Sequence, residues 1–182
     1  RLPLMQGLCE CALSELKWLL LEDLISPQVF PYILKNRFAD TAVINGYHSD
    51  MTRTVAVGSV STKQAEIYET VLKAQLASLA TLKDGISGFD ADKAARDIIA
   101  NAGYGSFFGH GTGHGVGIEI HEAPRLSPKA GDAILRPGHV VTVEPGIYLE
   151  GKYGCRIEDM VAITKDGIHN FTHSPKELIE IY

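Results

Sequence analysis

A histidine- and glycine-rich stretch, Phe107 to Pro124, carries the side chains best suited to chemistry. It places His110, His114 and His121 within twelve residues, and imidazoles bind metals and move protons near neutral pH. The glycines around the first two histidines are Gly109, Gly111, Gly113, Gly115 and Gly117. Because glycine lets the backbone approach other atoms closely, the stretch predicts a site built around something small. The alternative is a glycine-rich loop with incidental surface histidines.

Four carboxylates elsewhere in the chain favour a metal site. Asp40, Asp50, Glu144 and Glu158 form, with His114, an oxygen-rich ligand set that suits pairs of Mn²⁺, Co²⁺, Fe²⁺ or Zn²⁺ better than a thiolate zinc site does. Paired metals lie about 3.5–4 Å apart and share bridging carboxylates and a water. One metal would make that water a nucleophile, and the other would polarise a carbonyl and stabilise an oxyanion.

The two aspartates flank a predicted β-hairpin, because Asn45-Gly46 is a strong tight-turn signal. With a two-residue turn, Thr41 opposes Asp50 and Asp40 points to the other face. With a three-residue loop from residue 44 to residue 46, Asp40 lies directly opposite Asp50. The sequence leaves both registers open, and two solvated hairpin aspartates are the simpler alternative.

Two helices follow the hairpin. The capping box Ser61-x-x-Gln64 opens a helix that should run to about Leu82, and a second helix should start near Asp90 and stop at Gly103. The expected buried positions are Tyr68, Leu72, Leu76 and Leu79 in the first helix and Ala94, Ile98 and their neighbours in the second.

Short apolar runs after the histidine stretch predict strands. These runs are His139 to Val143, Ile147 to Leu149, and Val161 to Ile163. Arg156 and Glu158 lie two residues apart, so both side chains would share one face of a strand.

Composition indicates a globular protein with one core: 182 residues, 45% hydrophobic and 21% charged. The net charge of -5 and the lack of a basic block argue against nucleic acid as a partner. Charged residues interrupt the apolar run near the start, which argues against a membrane span. Three unevenly spaced cysteines, Cys9, Cys11 and Cys155, fit a reducing compartment. The expected location is therefore the cytoplasm.

Several ordered segments resemble the pita-bread metallopeptidases: NGYHSDMTRTVAVG, FGHGTGHGVGIEIHEAP, VTVEPGIYLEG and CRIEDMV. EPGIY and RIED resemble the aminopeptidase P and Xaa-Pro dipeptidase (prolidase) branch more closely than the methionine aminopeptidase branch. The resemblance implies an α+β, creatinase/aminopeptidase-like pita-bread fold. It makes residues 40–182 the metallopeptidase catalytic region.

The resemblance also implies a role for each metal ligand. Asp50 and Glu158 would bridge two divalent ions, Asp40 would bind one ion and His114 the other. Glu144 would be a ligand that also carries a proton from the bridging water to the leaving nitrogen.

Four further residues would surround these ligands in such a peptidase. His121 would act on the developing oxyanion or hold the substrate carbonyl, and His110 would shape the substrate pocket. Tyr148 and Arg156 would support the ligands, Arg156 by pairing with a metal-binding carboxylate. Ordinary packing and surface pairing is the alternative for His121, Tyr148 and Arg156.

The chain departs from the family pattern in two places. Asp40-Thr41-Ala42 lacks the glycine of the usual Asp-x-Gly-Ala segment. Residues 1–39 are unassigned: Leu13, Leu16, Leu20 and Leu24 favour a helical segment, but the region is too short for the family's N-terminal half of the catalytic domain. The pita-bread fold should therefore be incomplete in its N-terminal half, and self-association into a homo-oligomer is an expected consequence.

The function that this resemblance implies is hydrolysis of Xaa-Pro peptide bonds by attack of a metal-bridging hydroxide. Mn²⁺ is the expected metal, with Co²⁺, Zn²⁺ or Fe²⁺ as alternatives, and a small peptide with proline in second position is the expected substrate. A non-catalytic peptide- or protein-binding module, or an inactive fragment, is a second hypothesis. A methionine aminopeptidase is a third.

Overall fold

The computed structural model of the chain describes residues 42–182. These residues form two α-helices, α1 (Thr62–Thr81) and α2 (Gly88–Asn101), a short 3-10 helix (Gly105–Phe107) and eleven strands. The strands are β1 Val43–Ile44, β2 Tyr47–His48, β3 Ala56–Val57, β4 Gly113–Gly115, β5 Glu122–Leu126, β6 Val140–Val143, β7 Gly146–Leu149, β8 Tyr153–Arg156, β9 Asp159–Ile163, β10 Ile168–Asn170 and β11 Glu180–Ile181. This mixture of helices and mainly antiparallel strands fits the α+β class expected from the sequence.

The largest sheet has five strands in the order β10-β9-β6-β4-β5, and each neighbouring pair is antiparallel. Strands β1 and β2 form a separate hairpin, as do β7 and β8, while β3 pairs in parallel with β11. Strands β4, β6 and β9 carry or adjoin the residues of chemical interest, so this sheet is the frame of the site.

The two faces of the sheet have different neighbours. Val141 and Val143 of β6 pack with Leu79 of α1 in a buried apolar cluster, which places both helices over one face. Thr142 pairs with Met160 of β9, and side chains of neighbouring strands that pair in this way share a face. The alternation along β6 therefore sends Thr142 to the face away from the helices.

The start of each helix follows its capping sequence. Ser61 caps α1 and forms the expected capping box with Gln64, whose side chain accepts a hydrogen bond from the Ser61 backbone. Ser87 caps α2 through the backbone N–H of Asp90. The second helix therefore starts at Gly88, two residues before the predicted start near Asp90.

The predicted buried faces of the helices are partly wrong. Leu76 is 48% exposed, because α1 turns a different stripe towards the protein. In α2, Ala94 and Ile98 are half-buried, while Ala95 and Ile99 are buried. The neighbours of Ala94 and Ile98 are therefore the more deeply buried residues, since α2 packs against both α1 and the sheet. The buried residues of α1 are Ile67, Tyr68, Thr70, Val71, Ala74, Gln75, Ser78 and Leu79.

The hairpin has a two-residue turn. Val43 pairs with His48, and Ile44 pairs with Tyr47. Asn45 has φ 52° and Gly46 has φ 82°, the left-handed backbone that the tight turn requires. The three-residue alternative is therefore wrong. Asp40 lies outside the described residues.

The strands predicted after the histidine stretch are confirmed as β6, β7 and β9, with their ends shifted by one or two residues. Among residues 42–182, neither helix combines the length and the apolar character needed to cross a lipid bilayer. The helical segment expected within residues 1–39 lies outside the described residues.

Candidate metal centre

Three buried side chains converge at one point next to the sheet. Asp50 follows β2, His114 lies in β4 and Glu158 directly precedes β9. Each offers one ligand atom, and these atoms all lie within 4.8 Å of one another. Asp50 is 8% exposed, His114 5% and Glu158 1%. Three of the predicted metal ligands are thus brought together, although they are distant in the sequence.

Glu144 completes this group. Its Oε1 lies 3.1 Å from Nε2 of His114 and accepts a hydrogen bond of 3.3 Å from Oγ1 of Thr142. Its backbone N–H donates to the Thr112 carbonyl at 2.7 Å, which fixes the end of β6 against the histidine stretch. We call Asp50, His114, Glu144 and Glu158 the acidic cluster.

The glycines around His114 make room for neighbouring strands. A Cβ atom on Gly113 would lie 1.9 Å from the carbonyl oxygen of Thr142, and one on Gly115 would lie 2.4 Å from that of Ala123. Both contacts are too short for any side chain, so β4 fits between β5 and β6 only because these residues are glycines. At these two positions the glycines serve the packing of strands, and the predicted approach of something small to the histidine stretch stays a prediction. The alternative of a surface loop is wrong for His114, which is buried within a sheet.

Glu158 is the buried acid with the least compensation. Its Oε2 accepts a 2.5 Å hydrogen bond from Oγ1 of Thr52, but its Oε1 is buried without a hydrogen-bond partner among the described residues. Burial, together with the charges of Glu144 and Asp50, raises the pKa of Glu158 well above its usual value. An unsatisfied buried carboxylate oxygen is unfavourable unless a cation or a donor reaches it.

Crowding changes the other two acids as well. Burial raises the pKa of Asp50 to about 6, and the negative charge of Glu144 adds to the increase. Burial alone would also raise the pKa of Glu144, but the hydrogen bond and charge of His114, together with Arg156, lower it instead. Three carboxylates thus surround one imidazole, and a divalent cation would remove the repulsion between them. The donor set therefore fits a hard divalent metal.

The orientation of the His114 ring suits metal binding. Its Nδ1 lies 3.0 Å from the carbonyl oxygen of Gly115, and because a carbonyl only accepts hydrogen bonds, Nδ1 carries the proton. Nε2 then faces Asp50 Oδ2 at 3.6 Å and Glu144 Oε1 at 3.1 Å. A backbone carbonyl that holds one ring nitrogen in this way is the usual arrangement for a metal-binding histidine. Nε2 is therefore the nitrogen available to a metal.

Three further predicted residues lie beside the acidic cluster. His110 Nε2 is 2.8 Å from the hydroxyl of Tyr148, and Tyr148 is 38% exposed. His121 is exposed, and the centroid of its ring lies 4.3 Å from that of His114. His110, Tyr148 and His121 are thus positioned where a small molecule could reach both them and solvent.

Arg156 lies between two acids of the cluster. Its Nε is 3.9 Å from Oε2 of Glu144 and 3.9 Å from Oε2 of Glu158, and it donates to Oγ1 of Thr52 at 3.0 Å. The geometry agrees with the expected pairing of this arginine with a cluster carboxylate. Asp40, the fifth predicted ligand, lies outside the described residues.

Sequence reasoning missed two threonines that form hydrogen bonds with residues of the acidic cluster. Thr52 contacts both Glu158 and Arg156. Thr142 accepts a hydrogen bond from the backbone N–H of His114 and donates to Glu144. The available signal was their spacing, since each lies two residues from an acid of the cluster and so shares its side of an extended chain.

Comparison with known proteins matches residues 38–165 to Metallopeptidase family M24. An uncharacterized peptidase of Bacillus subtilis, YqhT, is 55% identical over 138 residues, which are 76% of this chain and 39% of that protein. The chain therefore spans about two fifths of the length of a curated relative that it matches.

Solved structures give the same result. A Bacillus anthracis Xaa-Pro dipeptidase is 54% identical with a TM-score of 0.73, and the match covers 75% of this chain and 38% of that one. An X-Pro aminopeptidase from Thermotoga maritima is 42% identical with a TM-score of 0.74, covering 78% of this chain and 40% of that one.

Proposed function

Because this chain belongs to metallopeptidase family M24, we propose that its acidic cluster holds divalent metal ions and that it hydrolyses peptide bonds before proline. The likeness to solved relatives confirms the resemblance read from the sequence, and with it part of the pita-bread fold. The chain spans about two fifths of the length of these relatives. That it shares their activity is therefore our proposal.

One observation carries the proposal: Glu158 Oε1 is buried without a partner among the described residues, next to ligand atoms of Asp50 and His114. Protein interiors rarely tolerate such an atom unless it serves a site. We assign Asp50, His114, Glu144 and Glu158 as ligands, and Asp40 as a further ligand on a second ion. The expected ion is Mn²⁺, with Co²⁺, Zn²⁺ or Fe²⁺ as alternatives. When bound, the metals would activate the attacking water and polarise the scissile carbonyl.

The protein's own groups would then move the proton and orient the substrate. Glu144 is held by Thr142 and by its backbone bond to Thr112, so its carboxylate would take a proton from water and pass it to the leaving nitrogen of proline. That nitrogen carries no hydrogen in the peptide, and the site needs no donor from it.

His121 and the His110–Tyr148 pair would hold the peptide. His121 lies next to the His114 ring and would donate to the developing oxyanion. His110 is fixed by its hydrogen bonds to Tyr148 and to the Gly111 carbonyl and would border the pocket for the substrate. Arg156 would keep the carboxylates of Glu144 and Glu158 in place.

Metal titration and hydrolysis test the proposal together. Calorimetry on the chelator-treated chain should give about two Mn²⁺ ions bound per chain, and the loaded chain should release proline from an Xaa-Pro dipeptide. Glu144→Ala should abolish hydrolysis. Glu150→Ala is the matched control, because Glu150 lies exposed just after β7 in the same region and should leave the rate unchanged.

A second candidate function is a non-catalytic module that binds peptides or proteins. It predicts no metal uptake and no hydrolysis, even after metal is added. Undiminished hydrolysis by Glu144→Ala would refute the role of Glu144. Release of Met from a peptide without proline would instead indicate a methionine aminopeptidase. Self-association stays a prediction, and the mass of the chain in solution tests it.

A further inference from the structure

A buried ion pair on α2 lies behind the histidine stretch, outside the acidic cluster. Asp92 is 1% exposed, and Arg96, one helical turn later, binds it with two hydrogen bonds: Nε to Oδ2 at 2.7 Å and Nη2 to Oδ1 at 2.9 Å. Two-point pairing of this kind fixes the orientation of both side chains. We call Asp92 and Arg96 the α2 clamp.

Both members of the α2 clamp also hold the backbone of the histidine stretch. Arg96 donates to the carbonyl oxygens of Phe108 at 3.0 Å and of His110 at 2.7 Å. Asp92 Oδ1 accepts from the backbone N–H and from the hydroxyl of Thr112, both at 2.9 Å. Residues 108–112 are therefore fastened to the helix at both ends.

These contacts continue into the proposed site. His110, whose carbonyl binds Arg96, presents its ring to Tyr148. Thr112 donates its backbone N–H to Asp92, and its carbonyl oxygen accepts a hydrogen bond of 2.7 Å from the backbone N–H of Glu144. Arg96 is thus joined directly to His110, and Asp92 is joined through Thr112 to Glu144.

We propose that Asp92 and Arg96 are positioning residues that set the distance between His110 and Glu144. The assignment of a substrate to His110 rests on the proposed function, but the mechanical link does not. The mechanical link requires a guanidinium, because the Arg96 side chain binds Asp92 and two carbonyl oxygens at once. A lysine ammonium does not reproduce this geometry.

Amide hydrogen exchange tests the link without requiring activity. In Arg96→Lys, exchange at the N–H groups of Thr112 and Glu144 should accelerate by about tenfold or more, the factor that corresponds to one lost hydrogen bond. The N–H groups of Ile163 and Phe171, which bond elsewhere in the sheet region, should keep the exchange rates of the unmodified chain. Asp92→Asn should show the same pattern.

The matched control lies on the same helix. Lys93 and Asp97 have the same spacing and form an exposed ion pair, and neither contacts residues 108–112 through a hydrogen bond in the described structure. Asp97→Asn should therefore change no exchange rate. Full protection in Arg96→Lys would overturn the proposal, and so would equal acceleration at all four amides, which would indicate general destabilisation.

Kinetics separates this proposal from the proposed function. If the unmodified chain hydrolyses an Xaa-Pro dipeptide, Arg96→Lys should lower kcat/KM by about tenfold to 10²-fold, while Asp97→Asn keeps the original value. An unchanged kcat/KM in Arg96→Lys would count against positioning. If the unmodified chain has no activity, the proposed function fails and the exchange rates at Thr112 and Glu144 still decide the role of the α2 clamp.

Discussion

Glu158 and Asp159 are neighbours in the sequence and both are buried, yet their surroundings are opposite. Asp159 receives hydrogen bonds from Arg53 at 2.9 Å, Asn170 at 2.7 Å and an ion-pair contact from Lys176 at 2.6 Å. Glu158 has Thr52 on one oxygen and no partner among residues 42–182 on the other. Successive residues of an extended chain point to opposite faces. Glu158 therefore enters the acidic cluster, while Asp159 enters a group with Arg53, Asn170 and Lys176 that we call the framework.

The pKa values follow this division. Burial by itself would raise the pKa of Asp159, but the charge of Arg53 and the contacts with Lys176 and Asn170 hold it below its usual value. The same kind of burial raises the pKa of Glu158, and the bond from Thr52 and the more distant charge of Arg156 do not offset it. A buried acid with close cations from its own chain therefore supports the fold, whereas one without them is available to an external cation.

Removing the charge of Asp159 should destabilise the fold more than any other change at these two acids. Asp159→Asn would leave Arg53 and Lys176, which are 10% and 21% exposed, beside a neutral group. Breaking a buried ion pair from one side typically costs about 3–5 kcal/mol, so the free energy of unfolding in urea, with chelator present, should fall by about that amount. Glu69→Gln, in an exposed pair with Lys73, is the control and should change it by about 0.5 kcal/mol or less. Equal stability of both variants would contradict the division.

Glu158→Gln should have the opposite result: it should weaken Mn²⁺ binding and leave the stability of the metal-free protein nearly unchanged. The amide keeps the shape of the side chain, and one oxygen of the acid already lacks a partner among the described residues, so the metal-free fold should lose little stability. Mn²⁺ affinity should fall by more than about 100-fold. The stabilisation that Mn²⁺ gives at 100 times its Kd, about 2.7 kcal/mol, should disappear in urea unfolding with metal. A large loss of metal-free stability would place Glu158 with Asp159 as a framework acid.

The sequence predicted the acidic cluster better than the framework behind it. Glu158 lies in a recognisable motif with Arg156, and its place beside Asp50 and His114 could be expected from that resemblance. The sequence does not indicate a role for Asp159, because its partner Arg53 lies 106 residues away and no local pattern joins them. The α2 clamp is not predictable from the sequence for the same reason, since Asp92 and its partner Thr112 are 20 residues apart.

Within the fold, the features that depend on local sequence are predicted correctly, whereas the predictions of which residues are buried are partly wrong. The capping box at Ser61 and the Asn45-Gly46 turn are confirmed, since each depends on backbone groups within a few residues. The buried faces of the helices depend on what packs against them, so the prediction that Leu76 is buried is wrong. Gly113 and Gly115 do allow close approach of other atoms, as expected, and those atoms belong to the backbones of neighbouring strands.

Asn170→Ala removes one partner of Asp159 without changing the charge of the framework. Its Nδ2 donates to Asp159 and its Oδ1 accepts the backbone N–H of Thr172 at 2.8 Å. A hydrogen bond to a charged group is worth about 1.5–3 kcal/mol, so the free energy of unfolding should fall by about 2 kcal/mol. Mn²⁺ affinity should stay within about twofold of the original, because these two hydrogen bonds join Asn170 to the framework acid and to Thr172 rather than to the acidic cluster. A tenfold loss of affinity would show that the two acids are not independent.

Thr52→Val is the corresponding change on the cluster side and the smallest of the four. Valine has nearly the same shape, but it removes the hydroxyl that donates to Glu158 at 2.5 Å and accepts from Arg156 at 3.0 Å. Mn²⁺ affinity measured by calorimetry should fall by about tenfold, the lower end of the range for residues that orient a metal ligand. Thr52→Ser keeps the hydroxyl and should restore most of the affinity. If Val and Ser bind Mn²⁺ equally well, the hydroxyl does not orient Glu158, and the unpartnered oxygen alone would have to account for metal binding. If Val loses stability without losing affinity, Thr52 belongs to the framework, and the boundary between the two regions lies on the cluster side of Thr52.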